Sequence, residues 1–523
     1  MSELSADVLV IGGGMAAAWA AISAAQEGAS VIVVDKGYLG TSGVTATAGP
    51  NHWFIPPDPE KRTAAIAQRQ SVACGIADPG WMSRILEQTF ARLPTLEGFY
   101  EFPFNDDGVK QYGPVRGPEY MRALRRMTLS LGVIILDHHP ALGLLRHADG
   151  SIAGAHGVRR QAGGDWSVRA AGVVLATGGC AFASRLLGSR TNTGDGYLMA
   201  AEAGVELSGM EFTSHYTVAP AFSTMARGMA YVFATYYDSA FQKLDLPPNT
   251  AREHALAREL LKGPVYCDLS LMPQDIRDRL PYISPNVLPP FIRRGINPFT
   301  DKFPVTLLAE GTIRGIGGIK IADNSCQTAV PGLFAAGDAA SRELVAGAMS
   351  GGGSVNSAWA LSSGTFAGRG AARRARETVA RRNAPAVSLA QAGLHPTRAV
   401  QNIDPAEIIK IAGAEATHYD RNYFRTAQKL ERSLGMLDGL WRTLSGGLRG
   451  EGIAAMQARE AAAILATTRW SFTAALHRRE SRGMHTRLDF PDTNPAFEQR
   501  QVISGLDHIR TSFETEKLAE KVA

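Results

Sequence analysis

The chain has 523 residues, too many for one simple core, so two or three domains are expected. Hydrophobic residues make up 45% and charged residues 20%, ordinary values for a globular protein, and no apolar run reaches bilayer-spanning length. The net charge of +5 is mild and no basic–aromatic pattern of an RNA-recognition module is present, which leaves nucleic acid a minor option.

The N-terminus, MSELSADVLVIGGG, enters a strand almost at once and shows neither a basic n-region nor a cleavage site; a cytoplasmic location is expected. Residues 7–35 read strand, glycine turn, helix, strand. DVLVI is a continuous apolar run, as a parallel strand covered on both faces should be. Met15 to Ala25 form a tight-packing helix stopped by Gly28, and VIVVD gives the second strand. In GGGMAA, Gly12 permits the tight turn, Gly14 lets backbone approach a pyrophosphate and Ala17 allows close helix–strand packing. The helix N-terminus adds N–H groups and partial positive charge. Asp35 stands where an acid accepts ribose hydroxyls. A glycine turn alone fits any α/β protein, but strand, helix, second strand and acid together point to a bound dinucleotide.

Gly132–Leu136, Gly172–Ala176 and Leu333–Ala336 read as further buried strands, far enough apart to imply a cofactor domain interrupted by an insertion. The insertion carries the Pro-rich LPPNT and YISPNVLPPF. From about 365 the texture is helical, NAPAVSLAQAGLHPTR reads as a linker, and residues 405–480 carry amphipathic patterns such as YFRTAQKLERSLGMLDGLW. The expected architecture is α/β: a discontinuous Rossmann-type domain (1–216 and 306–375), an inserted α+β capping domain (217–305) and a C-terminal helical domain (376–523). In RRARETVARR, residues Arg373, Arg374, Arg376, Arg381 and Arg382 decorate a helix; a solvated face is the plain reading and attraction of an acidic partner the functional one. Cys74, Cys180, Cys267 and Cys326 lie far apart without any ligand spacing, so reduced buried thiols are expected and no metal site.

Several ordered segments resemble the flavoproteins of the succinate dehydrogenase, fumarate reductase, L-aspartate oxidase and adenylylsulfate reductase group. GTSGVTATAG (40–49) is similar to that family's flavin-contacting loop, VVLATGG (173–179) to its strand–turn against FAD, and NTGDG (192–196) followed by MAAEAG and MEF (210–212) to its next segments. VPGLFAAGDAA (330–340) resembles the segment placing an acid, here Asp338, on the ribityl chain, and ESRGMHTRLDFP (480–491) the C-terminal helical signature. The resemblance implies FAD held by Gly12, Gly14, Met15, Ala16, Ala17, Asp35, Lys36, Thr41, Ser42, Gly43, Ala48 and Gly49. It extends the set to Ala141, Ala176, Thr177, Gly178, Asn192, Thr193, Asp195, Gly337, Asp338, Ser354 and Val355. Asp195 and Asp338 have a plainer alternative as helix caps.

The departures bear on chemistry. Members with covalent FAD carry histidine in the small-residue loop, where this chain has Gly43, so non-covalent FAD is implied. The family's His-Tyr-x-Met-Gly-Gly reads IRGIGGI here, with Ile313 in place of histidine, and its Asn-Arg-Leu-Gly reads AMSGGGS, with Met349 in place of arginine. A dicarboxylate needs fixed cationic partners, because unpaired buried carboxylates are costly, so succinate and fumarate are not the expected substrates. TSHYT leaves His215 one place from the family's histidine.

The adenylylsulfate reductase flavoprotein is the nearer resemblance, in PPNTAREHALARELLKGPVYCDLS and LSSGTFAGRGAA, although this chain is shorter and its insertion compact. That resemblance makes Arg252 the candidate active-site cation and Asn51 a polar group on the flavin's substrate face. Arg314 is a second candidate cation or a turn residue, His215 an acid–base candidate or a structural histidine. Arg252, beside Arg258, has a plainer reading as a solvated residue, and Glu480, Arg482 and His485 read as a structural set. The expected function is a FAD-dependent dehydrogenase or reductase of a small polar substrate, exchanging electrons with a separate ferredoxin-like iron–sulfur subunit in a homo- or hetero-oligomer. The alternatives are a single-chain oxidase releasing hydrogen peroxide, similar to L-aspartate oxidase, and a flavin-bearing RNA-modification or interaction subunit.

Overall fold

The N-terminal apolar run forms a strand, Ser2–Ile11, in the interior of an eight-stranded sheet. The structure is a computed structural model describing residues 2–226, 229–248, 250–378 and 384–514. Strands Val31–Val34 and Asp165–Leu175 flank Ser2–Ile11, both parallel to it, and Ile134–Leu136 extends the parallel part. Val8, Leu9 and Val10 are wholly buried, which explains an unbroken apolar run where a half-exposed strand would alternate.

The long strand Asp165–Leu175 serves two partners. Its first half pairs antiparallel with Ile152–Val158, and Val173–Leu175 pair in parallel with Leu333–Ala335. Ala141–His147 and Ala386–Ser388 complete the antiparallel edge, so the segment that reads as a linker carries an edge strand. Helix Met15–Gln26 packs on helix Gly352–Glu377 through small residues: a Cβ on Gly364 would fall 2.4 Å from the Ala16 carbonyl oxygen, and one on Gly368 2.1 Å from that of Ala20. That close approach fixes where the long helix begins relative to the glycine turn.

A second, antiparallel sheet has the order Tyr216–Pro220, Phe303–Ala309, Val265–Asp268, Thr235–Tyr237. The boundaries drawn at 216/217 and 305/306 run through its first two strands, because the chain leaves and re-enters along paired strands with no change of composition. After helices Pro405–Thr417, Ala427–Gly447 and Ile453–His477, the chain ends its described part in a hairpin, Gln501–Ser504 and Arg510–Phe513. That hairpin pairs with Leu207–Ser208, so the segment after 376 is not helical throughout. Arg373, Arg374 and Arg376 lie at the end of the long helix, whereas Arg381 and Arg382 lie outside the described residues. Arg376 donates to the Glu27 carbonyl, 2.9 Å away, and so anchors one helix end on the other. Among the described residues no helix is long and apolar enough to cross a membrane.

Candidate functional site

The cofactor cavity starts at the glycine turn. Gly12 has φ +125°, and a Cβ there would meet the Ala176 carbonyl oxygen at 2.2 Å, so the turn is locked against the VVLATGG strand end. Gly13, which the fingerprint leaves unspecified, has no room either: its Cβ would lie 2.5 Å from the Asp35 carboxylate. Gly14 is different, with nothing within 4 Å of a Cβ, and it stands at the N-cap of Met15–Gln26. Unpaired N–H groups of the first helical turn thus open into the cavity.

A cavity of about 250 Å³ is lined by this turn and by Asp35, Ser42, Gly43, Ala141, Thr177, Glu310, Ile313 and Arg314 among others. Of the residues implied as FAD contacts, Gly12, Gly14, Met15, Ala16, Asp35, Lys36, Ser42, Gly43, Ala48, Gly49, Ala141, Ala176, Thr177, Gly178, Asn192, Asp195, Gly337 and Asp338 line it. Ala17, Thr41, Thr193, Ser354 and Val355 do not. Ala17 is buried in the helix packing, Thr41 points its hydroxyl at the Tyr38 carbonyl, and Thr193 supports Asp195. Gly352, Gly353, Asn356 and Ser357 line the wall where Ser354 and Val355 are expected, one helical face away.

Charge in the cavity is arranged in pairs. Asp35 accepts from the Ser42 hydroxyl and from the Gly37 N–H at 3.1 Å, both on one oxygen. Burial pushes the Asp35 carboxyl above its ordinary range, against the pull of Ser42. The Lys36 ammonium lies 2.7 Å from Asp195, 2.7 Å from the Thr193 hydroxyl and 2.9 Å from Glu460. Burial disfavours its charge, but the two carboxylates outweigh burial and hold its pKa above the usual lysine value. Arg459 grips Glu202 with both terminal nitrogens, at 2.7 and 2.5 Å. Met456, Arg459 and Glu460, from helix Ile453–His477, line the cavity; no motif in that alanine-rich helix signals it.

Elsewhere on the lining, Asp338 pairs with the fully buried Arg342, whose guanidinium also donates to the Thr312, Ile313 and Gly315 carbonyls. Burial raises the Asp338 carboxyl, partly offset by Arg342 and Arg314. Glu310 is buried, accepts from the Thr217 hydroxyl and receives Arg314 Nε at 3.5 Å; its N–H donates to the His215 carbonyl at 2.9 Å. Burial lowers the His215 pKa, so its ring is neutral at pH 7.

Of the candidate catalytic residues, Arg314 alone lines the cavity. His215 stands behind Glu310, and Asn51 follows Pro50 on the wall but is itself exposed and bridged to Pro114. Arg252 points to the Tyr231 carbonyl at 3.4 Å and to Glu253 at 3.2 Å. Glu480, Arg482 and His485 belong to a buried ionic network: Glu480 bridges Arg478 and Arg482, and His485 Nδ1 lies 2.7 Å from Arg425.

A dinucleotide fits these walls. The Thr177 hydroxyl, the Asn192 side-chain oxygen and both polar atoms of Asn356 are buried at the cavity without a partner among the described residues, and such groups demand one. The open face at Gly14 leaves room for a close-approaching pyrophosphate.

Comparison with known proteins agrees. The FAD binding domain family model matches residues 7–221, and the fumarate reductase flavoprotein C-terminal model matches residues 416–517. One subunit of the fumarate reductase (CoM/CoB) of Methanothermobacter marburgensis is 26% identical over 552 residues, covering 95% of this chain and 97% of that one. L-aspartate oxidase of Mycobacterium tuberculosis is 27% identical over 540 residues, covering 96% of each. An E. coli quinol fumarate reductase FrdA mutant superposes with a TM-score of 0.81 at 21% identity, over 98% of this chain and 97% of its own. Adenylylsulfate reductase from Archaeoglobus fulgidus does so with a TM-score of 0.76 at 17% identity, over 98% and 96%. Both family segments stand in order on one chain with a cavity to match: the protein carries the FAD binding domain and the fumarate reductase flavoprotein C-terminal domain, and is a FAD-dependent oxidoreductase.

Proposed function

We propose that the protein oxidises or reduces a small polar substrate other than succinate or fumarate, and exchanges the electrons with a separate ferredoxin-like iron–sulfur subunit. The observation that carries the substrate part is the shortage of free positive charge. Among the described residues the cavity has three cations; Lys36 and Arg459 are held by carboxylates within 3 Å, which leaves Arg314, paired with Glu310 only at 3.5 Å, as the most available. Ile313 beside it is apolar and buried. Two carboxylates on one substrate would need two such cations. The placement of Arg314 favours it over Arg252 as the substrate's cation.

Bound FAD supplies a hydride acceptor and donor at its N5 atom. The chain's own residues do the rest: the Gly12–Gly14 turn and helix N-terminus receive the pyrophosphate, Asp35 the ribose and Asp338 the ribityl chain, while Arg314 orients the substrate. The small-residue loop offers Gly43 where a histidine would form a covalent bond, which supports non-covalent FAD.

The four thiols are too dispersed to hold a cluster, so the electrons need an outside carrier. Arg373 lies 16 residues along its helix from the cavity residue Ser357, about 24 Å at 1.5 Å per residue. The arginine-rich end therefore suits steering of an acidic partner more than contact at the cofactor. Anaerobic purification from the native host, with an absorption spectrum and an iron assay, tests the reading. Flavin bands together with iron and a small second polypeptide are expected. The likeness to L-aspartate oxidase favours a second reading, a single-chain oxidase; flavin alone, bleached by substrate and restored by air with stoichiometric peroxide, would establish it instead.

A further inference from the structure

The part of the cavity around Arg314 can be read for what it accepts as well as for what it refuses. Its wall is built from three separate segments fastened to one another. The Leu187 N–H donates to the Thr224 carbonyl at 3.1 Å, which ties the loop after residue 185 to the capping segment ahead of Met225. A Cβ on Gly188 would lie 2.4 Å from the Thr47 hydroxyl, so the same loop is pressed onto the flavin loop. Leu186, Leu187, Met225 and Ile313 give this wall an apolar surface.

One anionic and one cationic group interrupt it. Glu310 is 5% exposed and turned toward Thr217 and Arg314. The Arg314 side chain is 38% exposed, its Nε lies 3.5 Å from Glu310, and among the described residues its two terminal nitrogens have no hydrogen-bond partner. Those nitrogens form the fork that accepts a carboxylate in two parallel bonds. A second carboxylate on the same ligand, set against Ile313, Met225 or the Leu186–Leu187 loop, would find no further uncommitted cation among the described residues of the lining to offset its lost hydration, and would be repelled by Glu310.

Resting on the reading above that Arg314 faces the substrate, we infer that the substrate is a monoanion: one carboxylate held by the Arg314 fork, and an apolar remainder against Ile313, Met225 and Leu187. Glu310 acts here as a positioning residue. Anchored by Thr217 of the capping sheet, it fixes the Nε edge of the guanidinium and leaves the opposite edge for the ligand.

The test is a titration of the holoenzyme with crotonate, butyrate, crotonamide, fumarate and succinate, read by the perturbation of the flavin absorption bands. Crotonate or butyrate should bind at least ~10-fold more tightly than fumarate or succinate of the same carbon count, since an uncompensated buried charge carries at least that much discrimination. Arg314→Gln should weaken crotonate by about 30-fold while leaving crotonamide within about threefold, and Arg314→Lys should restore part of the loss. FAD content and the melting temperature of each variant separate a lost anion site from a damaged fold. Equal or tighter binding of the dicarboxylates, an unchanged crotonate affinity in Arg314→Gln, or no perturbation by either monoacid would each overturn the inference. None of these outcomes touches the two-component reading, which the iron assay decides separately.

Discussion

The ammonium of Lys36, just past the second strand of the large sheet, lies 2.9 Å from the carboxylate of Glu460, 424 residues further along the chain. With Asp195 on its other side it forms a three-membered bridge whose side chains are 14–20% exposed. Removing the cation leaves two carboxylates facing one another in a partly buried site. Lys36→Met should therefore cost about 3 kcal/mol of stability, and Glu460→Gln, which keeps the Asp195 pair, about 1 kcal/mol. Urea unfolding of the FAD-free proteins measures both, and equal losses in the two variants would contradict the bridge.

The three glycines of the turn should separate cleanly by experiment. Gly12→Ala drives a methyl into the Ala176 carbonyl at a backbone angle that L-residues avoid, so the fold itself should lose about 3 kcal/mol. Gly14→Ala meets no protein atom within 4 Å. It should leave the melting temperature of the FAD-free protein unchanged and weaken FAD by at least ~10-fold, because the methyl occupies the pyrophosphate's approach. Fluorescence titration with FAD alongside thermal melts gives both numbers.

Glu343 sets a pH dependence of uncommon sign for a carboxylate. Burial, then the neighbouring Glu211, push its pKa up to about 7, against the attraction of Arg500 and Arg478. Between the ordinary glutamate value near 4.5 and about 7, the folded chain keeps a proton that the unfolded chain releases. Its contribution is thus fully present below pH 4.5 and is lost as pH rises to 7, a loss of up to about 3 kcal/mol. Glu343→Gln holds the neutral form at every pH. The stability difference between this variant and the parent should shift in the variant's favour across that window and then level off; a difference that stays flat from pH 5 to 8 would show that Glu343 is ionised throughout.

Arg252 and Arg314 offer a direct contrast. Arg252 is engaged with Glu253 and the Tyr231 carbonyl away from the cavity, so Arg252→Gln should change carboxylate affinity by less than about threefold. A loss comparable to that of Arg314→Gln, with FAD content intact, would return Arg252 to the substrate site.

The parts of the site legible in the sequence are those where one local constraint dictates the residue. The run DVLVI, the glycines and Asp35 form a contiguous unit whose reasons lie within thirty residues, and they meet in space as the spacing implies. What stays hidden depends on long-range placement. Gly13 needs to be glycine because Asp35 folds back on it, and an alanine-rich stretch around Met456 says nothing of facing a cavity. The hairpin of Gln501–Ser504 and Arg510–Phe513 has strands of four residues, too short for alternation to stand out. Arg252 and Arg314 each sit in a plausible motif, and only the folded chain shows that Arg314 lines the cavity while Arg252 does not.

Helix Ile453–His477 also gives the protein a history. A chain made from its N-terminus completes the glycine turn hundreds of residues before it completes the wall formed by Met456, Arg459 and Glu460. The sheet gains its last strands only with Leu333–Ala335 and Ala386–Ser388, and the cavity closes only when the last helices dock. A chain truncated ahead of residue 453 would leave the ribosome with its nucleotide pocket open along one side.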